Sequence, residues 1–191
     1  MKLLQDKVMN DAKVLPGDIV QVGGFLNHQI DVKLMKEIGK EFNRVFSEYR
    51  PTKILTIEAA GIAIATATAD IMDINFVFAK KHKGVDLVNA EGGYSANVNS
   101  FTKKQEFNVR VSRDFIGEGD RILIIDDFLA NGDAALGLVE ICRQAKADIV
   151  GIGICIEKSF SPGAGLIEQA GIKLHSLVRI ASLADGKVTL V

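Results

Sequence analysis

An α/β domain with a mainly parallel sheet and helices on both faces follows from three features of this sequence. Residues Ile122 to Ile125 form an uninterrupted apolar run, β-branched at every position but Leu123, as in a strand buried on both faces. A short loop containing Gly132 then leads into Ala134 to Lys146, where Ala135, Leu138, Val139, Cys142 and Ala145 share one helical face. The same order of strand, small-residue loop and helix occurs earlier, as Ile54 to Ile57, Glu58 to Gly61 and Ile62 to Ile71. Strands alternating with helices in this way select a parallel sheet with crossover connections.

The elements can be taken in order. Residues 2 to 13 read as a short helix with Leu3, Leu4, Val8 and Met9 on one side, and Pro16-Gly17-Asp18 as a turn. Ile19 to Val22 is a strand that Gly23-Gly24 breaks, and Phe25 to His28 is a loop. Asp31 is placed to cap the helix in which Leu34, Ile38, Phe42 and Phe46 recur at every fourth position until Pro51 closes it. After the Ile54 and Ile62 elements comes a strand at Asn75 to Ala79, ended by the basic run Lys80-Lys81-His82-Lys83. Residues 84 to 104 have only weak alternation, around Val85 to Val88 and Val98 to Thr102, and are expected to be a flap. Phe107 to Ser112 is a strand, and so is Ile149 to Ile156, whose glycines imply close backbone approach. A short helix at Pro162 to Ala170 and strands at Lys173 to Val178 and Lys187 to Val191 complete the chain.

Bulk properties limit what such a domain does. The 191 residues, 48% of them hydrophobic, suit one domain over 1–191 with a sizeable core. A net charge of -1 supplies no broad field for nucleic acid, so an anionic ligand must meet a local site. Cys142 and Cys155 lack Cys-x-x-Cys spacing and are expected to be reduced core residues, which favours a cytoplasmic setting. The start of the chain is amphipathic, and no run approaches the roughly 18 apolar residues of a spanning helix, so no membrane partner is expected.

The chemistry concentrates at residues 121 to 135. The apolar run ends in Asp126-Asp127, and beyond it Ala130, Gly132 and Ala134 leave backbone N–H groups bare at a helix N-terminus, where unpaired donors and the helix dipole favour a phosphate. Two adjacent carboxylates would repel a phosphate beside them, so they suit sugar hydroxyls or a Mg²⁺ ion. Phosphate, hydroxyls and metal together describe a phosphorylated ribose. A bare Asp-Asp pair, by contrast, would more often belong to an ordinary strand-to-helix turn with an Asp cap.

The fifteen residues from Arg121 to Ala135 resemble the phosphoribosyl-pyrophosphate (PRPP) motif of type I phosphoribosyltransferases, and Ile125 to Gly132 is similar to the branch that acts on xanthine. Phe25 to Asp31, Lys53 to Gly61, Phe78 to His82, Ser100 to Lys103 and Gly151 to Phe160 resemble that family too, in the family's order, so nearly the whole chain is covered. The resemblance implies the type I phosphoribosyltransferase fold with a small hood, formed by roughly residues 1–30 and 158–191, and a flap at 84–104. It implies purine salvage: transfer of the 5-phosphoribosyl group from PRPP to xanthine, with Mg²⁺ bound mainly through PRPP rather than directly by the protein. By the same resemblance Asp126 and Asp127 serve ribose or metal, Ala130, Asn131, Gly132, Asp133 and Ala134 the 5-phosphate, and Ala60 and Gly61 the pyrophosphate. Beside a site for several phosphate charges, one or two cations of the run Lys80-Lys81-His82-Lys83 could neutralise the leaving pyrophosphate, the others being solvated surface. Val20, Asn27 and Lys158 fall to the base, Lys158 facing the exocyclic oxygen and an aromatic such as Phe160 covering the ring, and a homodimer is implied.

Three positions depart from the family pattern: Ala60 stands where Ser is usual, Ile64 where Pro is usual, and Asp133 where Gln is frequent. Asp133 is expected to turn its carboxylate outward, away from phosphate. A preference for hypoxanthine or guanine is one alternative. A PRPP-sensing regulator without catalysis is another, although purine repressors of that kind carry a DNA-binding domain ahead of the fold. Other chemistries lack their signatures. Gly151-x-Gly153 has no third glycine, no phosphate loop of nucleoside triphosphatases is present, and His28, His82 and His175 lack metal-ligand spacing. A nucleophile elbow is missing as well.

Overall fold

The computed structural model describes residues 1–82, 92–100 and 105–191, with the backbone alone at 99, 100, 105 and 106. Helix α1 (Lys2–Asp11) is followed by a ribbon of β1 (Lys13–Leu15) and β2 (Ile19–Gln21), a π-helical turn (Gly23–Asn27) and α2 (Val32–Phe46). Asp31 caps α2 as expected, its Oδ1 accepting from the Leu34 N–H at 3.1 Å. Then come β3 (Lys53–Ile57), α3 (Gly61–Met72), β4 (Asn75–His82), β5 (Gly93–Ser100), β6 (Gln105–Ser112), β7 (Arg121–Leu129) and α4 (Asp133–Gln144). The chain ends with β8 (Asp148–Lys158), α5 (Gly163–Gln169), β9 (Leu174–Ser182) and β10 (Thr189–Leu190).

Eight strands form one sheet in the order β10-β9-β8-β7-β3-β4-β6-β5. The five in the middle, from β9 to β4, are mutually parallel. The edges are antiparallel, with β10 on one side and β6 and β5 on the other. The mainly parallel sheet is therefore as expected, and alternation along β7 explains its two covered faces: Leu123 and Ile125 belong to a core with α1, α2 and α3, Ile122 and Ile124 to a second core with α4 and α5. On β8 the glycines admit α2. A Cβ on Gly151 would lie 2.5 Å from the Phe46 ring and one on Gly153 2.8 Å from that of Phe42.

Several boundaries differ from the expectations, each because a neighbour changes what a segment can do. The β7 strand continues through the two acids to Leu129, since β8 offers backbone partners up to Glu157 opposite Leu129. The basic run after Ala79 is strand as far as His82, because Lys80, Lys81 and His82 pair with Arg110, Val109 and Asn108 of β6. Residue 13 opens a ribbon instead of ending α1, its Lys paired with Gln21. Of the stretch expected as a flap, residues 93–100 are β5, paired along its whole length with β6, while 84–91 and 101–104 lie outside the described residues, as does Lys83 before it. The segments expected as a hood take two forms: residues 13–27 make the ribbon and the π-helical turn, and β9 and β10 extend the main sheet.

Candidate active site

At the carboxyl end of the parallel strands lies a cavity of about 480 Å³, the edge where open α/β sheets bind ligands. One wall is the loop from β7 to α4. Gly132 has φ +92°, a left-handed conformation that disfavours any side chain, and a Cβ there would also sit 3.1 Å from Gly163 Cα. The first helical bond of α4 runs from Leu136 N–H to Gly132 O, which leaves the N–H groups before it pointing out of the helix end. Ala130, Asn131, Gly132, Asp133 and Ala134 all line the cavity. Asp133, expected to turn outward, is half-buried in that lining, at the first position of α4.

The floor is built from β3 and β7. Asp126 is buried and its Oδ1 accepts from the Asp127 N–H at 2.9 Å. Burial, and after it the neighbouring Asp127 carboxylate, push the Asp126 carboxyl well above its ordinary range, and burial raises Asp127 too. The loop after β3 is small for a different reason from the first: a Cβ on Gly61 would lie 2.0 Å from Thr56 Oγ1 and 3.2 Å from Asp126 Oδ1. Ala60 lines the cavity, whereas Gly61 lies behind the lining and keeps α3 against the floor.

The remaining wall comes from the two ends of the chain. Val20 and Ile19 of β2, Asn27 of the π-helical turn and Lys158 at the end of β8 line it. Asn27 Nδ2 donates to Asp127 Oδ2 at 3.4 Å, and Lys158 Nζ donates to the Asp18 carbonyl at 2.7 Å. Burial lowers the pKa of the Lys158 ammonium, which has exchanged water for this site. Next to it, Glu157 turns to the other face and accepts from Ser159, Ser176 and Arg179. All the residues expected at the site except Gly61 and Phe160 thus meet around one cavity. Phe160 does not line it, being 45% exposed; Phe128 does. Sequence reasoning passed over Glu58, Val98, Phe107 and Phe128, and left open which basic residue of the run after Ala79 belongs here. Strand alternation answers that. Lys81 lines this cavity, while Lys80 and His82 line a second one on the other side of β4.

A loop with bare backbone N–H groups, one buried and one half-buried acid and a lysine beside an apolar wall suit a phosphorylated sugar and a flat polar ring. Residues 22–164 match the family model described as the phosphoribosyl transferase domain. This chain belongs to the phosphoribosyltransferase family. Curated phosphoribosyltransferases similar to it include the xanthine phosphoribosyltransferases of Bacillus thuringiensis (strain Al Hakam) and Bacillus cytotoxicus, each 51% identical over 191 residues, with 100% of this chain and 96% of that protein covered. The same phosphoribosyltransferase architecture occurs in solved structures. The APRTase of Giardia lamblia complexed with 9-deazaadenine has a TM-score of 0.79 at 20% identity, over 94% of this chain and 98% of that one. The adenine phosphoribosyltransferase of Saccharomyces cerevisiae has a TM-score of 0.73 at 17% identity, over 93% and 99%. At those identities the likeness concerns the fold.

Proposed function

We propose that the chain transfers the 5-phosphoribosyl group of PRPP to xanthine, giving xanthosine 5'-monophosphate and pyrophosphate. The observation that carries this reading is the meeting, in one cavity, of the loop Ala130–Ala134, the acids Asp126 and Asp127, and the base-side residues Asn27 and Lys158. The likeness to xanthine phosphoribosyltransferases over the whole chain supports the choice of base. In the reaction the bond from C1 of ribose to pyrophosphate breaks, its electron pair leaving with pyrophosphate. A ring nitrogen of the base bonds to C1 and gives up its proton. Positive charge develops on the ribose ring on the way, as in glycosidic cleavage.

The protein's part is to place and to neutralise. Backbone N–H groups of residues 130–134 hold the 5-phosphate, Asp126 and Asp127 accept from ribose hydroxyls, and Lys81 meets the pyrophosphate. No group of three His, Cys, Asp or Glu residues suited to a metal exists among the described residues. The carboxylates Asp126 and Asp127 in the lining fit Mg²⁺ carried by PRPP, since that ion is commonly held by one or two carboxylates together with substrate phosphates and water. Bound that way, the ion would offset charge on the leaving pyrophosphate. On the base side, Lys158 faces an exocyclic oxygen and favours the readily ionised xanthine ring, while Asn27 bonds the oxygen that hypoxanthine lacks.

The protein works in the cytoplasm as a homodimer. Two buried, unpaired cysteines agree with a reducing compartment, and among the described residues no helix is long and apolar enough to cross a membrane. Product analysis with PRPP, Mg²⁺ and competing purines tests the reaction, with xanthosine monophosphate expected to dominate. Lys158→Ala should lower efficiency with xanthine much more than with hypoxanthine; an equal loss for all purines would remove the base assignment.

A further inference from the structure

Lys81 stands opposite Val109 of β6, so Phe107, two residues along β6, projects from the same face of the sheet. Phe107 is in turn opposite Val98 of β5, and Lys81, Phe107 and Val98 all line the catalytic cavity. The Lys81 Nζ lies 5.0 Å from the centre of the Phe107 ring. Its main-chain N–H donates to Glu58 Oε1 at 2.6 Å, which ties the base of the side chain to the loop after β3. The ammonium faces inward, for Lys81 lines the cavity together with Asp126.

We infer that Phe107 is a positioning residue for phosphoribosyl transfer, its ring holding the Lys81 ammonium at the pyrophosphate end of the cavity. The inference rests on the reaction proposed above. An aromatic face suits this task better than an acid would. It attracts the cation without cancelling its charge, and it accepts no conventional hydrogen bond, so all three N–H donors stay free for phosphate oxygens. A lysine stem held in this way also has less rotamer freedom to lose when PRPP arrives. Lys80 also has a ring near it, Phe78 at 6.0 Å, but on the side of the second cavity, so it cannot substitute.

The test is a series of mono-, di- and trifluorophenylalanine at position 107, which withdraws electron density from the ring with little change of shape. PRPP affinity by calorimetry, KM for PRPP and the inhibition constant of pyrophosphate should weaken together and stepwise, by about two- to fivefold across the series. KM for xanthine and kcat at saturating PRPP should hold. Phe107→Tyr should stay near the unmodified protein, and Phe107→Leu should match the most fluorinated member. A flat fluorine series beside a weakened Phe107→Leu would make the ring mere packing and overturn the inference. So would PRPP binding that tightens as the ring is depleted, because the ring would then compete with phosphate for Lys81. Calorimetry needs no turnover, so a protein that binds PRPP in the graded way but makes no xanthosine monophosphate would refute the base assignment alone.

Discussion

The two ends of β7 carry aspartates with opposite fates. At the amino end Asp120, just before Arg121, accepts from Lys53 Nζ at 2.9 Å, from the Gly117 N–H at 3.0 Å and from the Thr52 hydroxyl at 3.3 Å. Burial pushes its carboxyl up, but Lys53 and the other donors hold it below its ordinary value. Arg121 spends its guanidinium nearby on the carbonyls of Tyr49 and Arg50. At the carboxyl end Asp126 has a second carboxylate for a neighbour, and the pair is met by the Asp127 N–H and by an Asn27 amide 3.4 Å away. Both carboxyls there are raised, burial being the first cause. One residue type on one strand thus supports the fold where donors saturate it, and costs stability where they do not. Under the proposed function, ribose hydroxyls and cations would offset the deficit at the second end.

Replacing both Asp126 and Asp127 with Asn should give the largest effect, a loss of about 10²- to 10³-fold in kcat, since the acids act where charge develops. The same variant should unfold at the same or a higher temperature. A lower melting point would mean that these acids stabilise the fold as Asp120 does, and the contrast would fail. Next in size is Gly132→Val, in the loop beyond the second end. A branched side chain at φ +92°, facing Gly163 Cα at 3.1 Å, should raise KM for PRPP about tenfold or more and leave KM for xanthine alone. Asp120→Asn belongs to the other end and should cost about 1 kcal/mol in denaturant titrations with no change in kcat.

The smallest and sharpest effects are in pH. The Asp120 carboxyl is depressed in the folded chain, so its contribution is fully present above the ordinary value of 3.8 and is lost as pH falls through the folded value. The stability gap between the parent and Asp120→Asn should close below that point. For Asp126, raised in the folded chain, the sign reverses: no penalty exists below 3.8, and it grows as pH rises towards the folded value. Urea titrations from acid to neutral pH should show Asp120→Asn falling behind the parent below 3.8 and Asp126→Asn gaining on it above 3.8. Parallel curves would contradict the assignment of partners to both acids.

Much of this arrangement was legible beforehand. The periodicity of α2, its Asp31 cap, the buried runs of β3, β7 and β8 and the glycine loop before α4 are local signals, carried by residues a few positions apart. The PRPP motif is equally local, since an anion nest needs a strand end, small residues and a helix start in immediate succession. Part of what escaped notice was contributed by distant strands. Val98 and Phe107 reach the cavity only because β5 and β6 pair with each other and then with β4. The π-helical turn at Gly23–Asn27 and strand β1 gave no periodic pattern to read, being only five and three residues long, whereas β2 lies where a strand was expected.

Amino-acid order alone was enough for the parallel core, the phosphate loop and the acids at its strand end, because burial patterns and helix starts are written within short windows. It could not choose among Lys80, Lys81 and His82, since a shift of one residue in a strand exchanges its two faces. That choice depends on which residue of β6 each one meets, and Lys81 opposite Val109 settles it. The same holds for Asp120 just before β7: the carboxylate beside Asp126 is its sequence neighbour Asp127, but Lys53 and Thr52, which saturate Asp120 together with Gly117, come from 67 and 68 residues away and only the fold brings them there.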